Sequence, residues 1–201
     1  MMNETERATF HLDFERALAF ATRLHASQTR KETDIPYISH LIAVAGLVLE
    51  NGGDRDQAIA ALLHDSIEDC GSNYPGGVPA LRRHLEAEFG ATVLRIVEGC
   101  TDAETIPKPP YEERKRRYIA HLEGAPPEVL LVSCADKLHN ARAIVADLRV
   151  MGPALFERFN GKRAGTLWYY EALASVFTRR GPEHLAAELR RTVETMRALA
   201  G

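Results

Sequence analysis

The sequence predicts an all-α protein, and three observations carry that expectation. Apolar residues recur at helical spacing along most of the chain, nothing alternates cleanly with period two, and Pro and Gly punctuate the periodic stretches. Phe14, Leu18, Ala21 and Leu24 share one face of a helix over 14–28, and Pro36 marks a break before the next. Residues 36–53, PYISHLIAVAGLVLENGG, read as a buried helix with Pro36 near its start and glycines closing it. Residues 54–71 read as one further helix, capped by Asp54 or Asp56 and stopped at Gly71. SNYPGGVP (72–79) is expected to loop, and two short helices follow, 80–90 and 91–101, divided at Gly90. Pro107, Pro109 and Pro110 make 102–110 irregular. YEERKRRYIAHLEG (111–124) is an exposed, strongly basic helix, and 126–152 a long buried one that starts after prolines. Two amphipathic helices, within 166–177 and 183–199, complete a count of about eight to ten.

The 201 residues, 45% hydrophobic and 26% charged, are ample for one compact domain spanning 1–201 and short for two. A formal net charge of −3 gives no general attraction to nucleic acid or an anionic membrane, so any anion site must be local. Cys70, Cys100 and Cys134 lie far apart and form no CxxC pair, which argues against disulfides and a zinc ribbon. The polar N-terminal stretch lacks the apolar core of a signal peptide, and the run from Leu41 to Leu49 is too short to cross a bilayer. A cytoplasmic protein handling a small molecule is expected.

The chemistry concentrates in ALLHDSIED (61–69), where an apolar run ends in His64, Asp65, Glu68 and Asp69. On a continuous helix, residues four apart share a face, so His64 would lie below Glu68 and Asp65 below Asp69. Burying such groups without compensation costs several kcal/mol or more, and a bound cation is a natural compensation. His40 interrupts an apolar helix, and Asp136 follows another apolar run, which nominates both as further ligands. Two imidazoles and two carboxylates suit Mn²⁺, Fe²⁺, Co²⁺ or Zn²⁺. Each residue alone has a plainer reading: a hydrogen-bonded core histidine for His40, and a partner of Lys137 or Arg142 for Asp136. The case rests on three separate helices each breaking an apolar face with a metal-ligand residue type.

HASQTRK (25–31) with PYISH (36–40), ALLHDSIED (61–69) and CADKLHNAR (134–142) resemble the HD-domain metal-dependent phosphohydrolases. The likeness is strongest to the hydrolase domain of RelA/SpoT-type (p)ppGpp enzymes and their small stand-alone versions. EFGATVLRIVEGCTD (88–102) stands between the motifs in the expected place, and the likeness runs over 14–175. It implies a helical bundle with one buried Mn²⁺ held by His40, His64, Asp65 and Asp136, and a catalytic acid pair, Glu68 and Asp69. Arg30 and Lys31 would meet the nucleotide, Asn140 would wall the same pocket, and Lys115 and Arg116 would face phosphates. The implied activity is hydrolysis of ppGpp or pppGpp to GDP or GTP and pyrophosphate, without a synthetase domain. Here RKETDI stands where the family usually has RKSG, and Cys70 where it commonly has Thr. The family also contains members acting on the 2′-phosphate of NADPH, and the motifs do not separate the two substrates. The same residues would also serve a simpler HD nucleotidase or a nucleotide sensor without turnover. Tyr169 or Tyr170 could stack on a base, although aromatic core is the plainer reading.

Overall fold

The computed structural model describes the backbone of residues 4–102 and 109–201, with side chains from residue 8 onward. The irregular stretch expected at 102–110 falls largely outside the described residues. Nine α-helices and no strand occur among those residues, as the all-α expectation requires; an isolated bridge pairs Thr29 with Pro36. The chain divides into two compact units, Met1–Glu104 and Thr105–Gly201.

The first unit contains α1 (Glu4–Leu24), α2 (Ile38–Glu50), α3 (Arg55–Leu63), α4 (Gly77–Phe89) and α5 (Ala91–Cys100). Helix α3 is its centre and packs against α1, α2 and α5. Its last six residues, Ala58 to Leu63, are all buried, so it is apolar all round where an amphipathic stripe would mark a surface helix. Ile59, Leu62 and Leu63 are each fully buried, worth ~1.5–3 kcal/mol apiece. Asp54 is the cap: its carboxylate accepts from Gln57 N at 2.9 Å, and Gln57 Oε1 accepts from Asp54 N at 2.8 Å. Asp56 instead pairs with Arg55.

The single helix expected over 54–71 is two elements. Helix α3 stops at Leu63, and after Asp65 (φ −94, ψ 0) the chain widens into a π-helical turn, Ser66–Cys70. Continuing α-turns would carry Glu68 and Asp69 along the same stack as His64 and Asp65. The turn there is π-helical, yet Asp69 N still donates to the Asp65 carbonyl at 2.9 Å, so the four-residue spacing of Asp65 and Asp69 survives in the backbone. A short 3₁₀ turn, Gly71–Asn73, and a left-handed Gly76 (φ 85) then start α4 earlier than the loop expected over 72–79 allows. Gly90 (φ 95) ends α4 and starts α5, a backbone conformation that explains a glycine at the expected division.

The second unit contains α6 (Tyr111–Gly124), α7 (Pro127–Met151), α8 (Lys162–Arg180) and α9 (Glu183–Ala200), with a 3₁₀ turn at Gly152–Arg158. Helix α7 begins at Pro127, where the missing N–H costs nothing, and is buried continuously from Val129 to Asp136. Helix α9 packs on α7 and α8, and α6 on α8. Helix α6 is less exposed than its composition suggests, because Tyr118 and Leu122 anchor it. Along it Arg116 pairs with Glu112 and Arg117 with Glu113, each four residues apart. Gly161 admits the Tyr111 ring, since a Cβ there would lie 2.6 Å from it. The 3₁₀ turn buries Leu155 and Phe156 without a periodic pattern to announce it.

Cys70, Cys100 and Cys134 are all free thiols. Burial, with the Asp69 and Asp65 carboxylates nearby, pushes the Cys70 thiol up to about 12, so at neutral pH it is a poor nucleophile. Among the described residues no helix is long and apolar enough to cross a membrane.

Candidate metal centre

Helix α2 and the end of α3 bring His40, His64 and Asp65 together. One ligand atom from each lies within 4.8 Å of the others, close enough to share one cation. Asp65 Oδ2 is 3.0 Å from His64 Nε2 and 3.6 Å from His40 Nε2. The imidazole rings meet edge to face at 5.3 Å, and both histidines are buried. His64 Nδ1 lies 2.8 Å from the Ala61 carbonyl. That oxygen can only accept, so Nδ1 carries the proton and Nε2 presents its lone pair toward Asp65. A divalent metal needs that tautomer, and a backbone carbonyl is an ordinary device for holding it. The donor set therefore fits a divalent ion.

Tyr37 supports the cluster. Its hydroxyl donates to Asp65 Oδ2 at 2.6 Å, and its ring meets His40 at 5.4 Å. The π turn sends the two following acids to different partners. Glu68 Oε2 accepts from the Asp102 backbone N–H at 3.1 Å, just past α5. Asp69 Oδ2 accepts from Gln28 Nε2 at 2.8 Å. Arg30 lies with its guanidinium 5.8 Å from the Tyr37 ring centre, which places it on the loop that carries this support. Lys31 is exposed on the same loop.

The other expected site residues belong to the second unit. Asp136 is buried in α7, and its two oxygens accept from Lys137 Nζ and Asn140 Nδ2, each at 2.5 Å. Burial pulls the Lys137 ammonium down, but the Asp136 carboxylate outweighs it and holds the pKa well above the usual lysine range. Lys115 Nζ sits 4.5 Å from the Tyr169 ring centre, and Arg116 packs 4.9 Å over Trp168 while also bonding Glu112 at 2.7 Å. Tyr169 and Tyr170 are both buried, which agrees with aromatic core.

Residues 17–166 match the sequence profile of the HD domain, which is most of the chain. The chain belongs to the HD-domain family. His64 and Asp65, an adjacent histidine–aspartate (HD) pair, lie inside the matched stretch. Among named relatives, a guanosine-3′,5′-bis(diphosphate) 3′-pyrophosphohydrolase from Danio rerio is 39% identical over 126 residues, covering 61% of this chain and 64% of that protein. The Homo sapiens protein of the same name is 40% identical over 129 residues, 63% of this chain and 66% of its own length. The chain thus spans a little under two thirds of these curated relatives. A solved structure described as a metazoan ortholog of SpoT that hydrolyzes ppGpp superposes with a TM-score of 0.74 at 26% identity, covering 93% of this chain and 96% of that one. The fold is shared as well with lmo0812 of Listeria monocytogenes, at a TM-score of 0.65 and 24% identity over 77% of this chain and 96% of that one.

His25, Gln28 and Tyr37 join the site although the sequence marks them only as members of the motifs HASQTRK and PYISH, with no role of their own. The first motif is conspicuous for its cations and the second for its final histidine. A neutral amide and a phenol carry no signal of their own until their partners are visible.

Proposed function

We propose that the protein is a metal-dependent phosphohydrolase that cleaves ppGpp or pppGpp at the 3′ position, yielding pyrophosphate and GDP or GTP. The observation that carries this reading is the His40–His64–Asp65 cluster followed directly by an acid pair, Glu68 and Asp69, on a turn with separate supports. The names of the relatives favour the guanosine substrate. The family profile takes in parts of both units, which supports reading residues 1–201 as one HD-type domain.

His40, His64 and Asp65 would hold the ion, with Asp136 as fourth ligand on the likeness of its CADKLHNAR motif. Mn²⁺ is the ion proposed. When bound, such an ion supplies Lewis acidity toward a phosphate oxygen and toward water. Glu68, assisted by Asp69, takes a proton from the attacking water, and the same pair returns one to the departing 3′-oxygen. Their hydrogen bonds to Asp102 N and Gln28 hold each carboxylate in place for that task. Arg30, Lys31, Lys115 and Arg116 offset phosphate charge, and Asn140 lines the nucleotide pocket. A substrate with several phosphates gives these four cations a purpose that a monophosphate does not.

The test is turnover with Mn²⁺ across ppGpp, pppGpp, NADPH and deoxynucleoside monophosphates. Pyrophosphate release from ppGpp is expected. Inorganic phosphate from NADPH with none from ppGpp would replace this reading, and no turnover of any of them would favour a sensor.

A further inference from the structure

The loop between α1 and α2 does more than carry cations. Gln28 Nε2 donates to Asp69 Oδ2 at 2.8 Å, and its Oε1 lies 2.6 Å from His25 Nδ1. A carboxylate only accepts, so the amide must turn its NH₂ to Asp69 and its oxygen to His25, and His25 must carry its proton on Nδ1. Each group dictates the orientation of the next. His25 is buried, which lowers its pKa against the opposing bond to Gln28 and keeps the ring neutral. Its ring stacks on Tyr37 at 5.3 Å and 20°, and the Tyr37 hydroxyl holds Asp65. The backbone repeats the tie: Gln28 N donates to the His25 carbonyl at 3.0 Å, and Tyr37 N to the Gln28 carbonyl at 2.9 Å. One loop therefore holds both Asp65, in the ligand cluster, and Asp69, in the acid pair.

We propose that Gln28 is the positioning residue for Asp69, with its amide locked by His25, so that the α1–α2 loop sets the distance between the acid pair and the HD pair. This rests on the phosphohydrolase reading for its kinetic consequence, but not for its geometry. Gln28 touches no reacting atom. It acts by fixing which way the Asp69 carboxylate faces, and a misplaced carboxylate costs turnover without changing how substrate or ion is held. A hydrogen bond to a charged acceptor is among the stronger kinds, so its loss should be visible in rate.

The experiment pairs kinetics with histidine nitrogen NMR on the full chain. Gln28→Leu should lower kcat by roughly 10–100-fold with KM within about twofold and metal content unchanged. In an Asp69→Asn background the same substitution should cost less than about twofold, because the group it positions is already gone. Gln28→Glu, which keeps the shape but sets one carboxylate against another, should lose more kcat than Gln28→Leu and guards against a variant that merely folds poorly. In the NMR spectrum His25 should be the Nδ1–H tautomer in the wild type and lose that bias in Gln28→Leu. Wild-type kcat in Gln28→Leu, effects that multiply in the double variant, or an Nε2–H His25 would overturn the proposal. A wild type inactive on every nucleotide, with the Gln28-dependent tautomer intact, would overturn the substrate reading and leave the amide lock standing.

Discussion

Asp65 and Asp136 both end long apolar runs, yet they are met by different kinds of neighbour. Two imidazole nitrogens and a phenol converge on Asp65. Asp136 gives one oxygen to a lysine adjacent in sequence and the other to an asparagine one turn on. The first arrangement gathers atoms able to ligate an ion. The second supplies Asp136 with a positive partner from its own helix, so that it is compensated with or without a metal. An acid at the end of an apolar stretch is therefore two signals, and only its neighbours distinguish them.

The largest effect should come from His64→Ala, which removes the nitrogen that the Ala61 carbonyl prepares. Bound metal should fall below about a tenth of wild type, and turnover by roughly 10³-fold or more. Asp136→Ala, measured beside it by metal analysis, is what could break the comparison. Metal retained in that variant would make Asp136 purely a partner of Lys137 and Asn140, and metal lost would give it both roles. Glu68→Gln keeps the hydrogen bond from Asp102 N but removes the charge needed to accept a proton. Turnover should drop by ~10²–10⁴-fold while metal binding stays at the wild-type level. The smallest effect is one of stability. Lys137→Met leaves the buried Asp136 carboxylate without its cation and should destabilise the metal-free protein by ~3 kcal/mol in denaturant unfolding. If Asp136 ligates, added Mn²⁺ should restore part of that loss; equal unfolding midpoints with and without the ion would argue that it does not.

Most of the helices were legible because their signals are local. The apolar periodicity in α7, the Asp54 cap with Gln57 three residues on, and Gly90 between two helical stretches each act through near neighbours. The π turn was not legible. Ser66 to Cys70 has good helical composition, and the partners that Glu68 and Asp69 meet there, Asp102 and Gln28, are both distant in sequence. The 3₁₀ turn that buries Phe156 escaped for a related reason, since a short element carries too few residues to show a period.

The sequence by itself determined the helical class, the boundaries set by Pro and Gly, and the residue types available for a metal and an acid pair. Those follow from covalent geometry and short-range hydrogen bonding, which a linear pattern records. Only the tertiary structure decided that His64 offers Nε2, that Tyr37 holds Asp65, and that Gln28 turns its amide toward Asp69. The first depends on how the end of α3 turns the His64 ring onto the Ala61 carbonyl, the other two on which acceptor arrives from a separate segment. A neutral side chain acquires its direction only when its partners are in place.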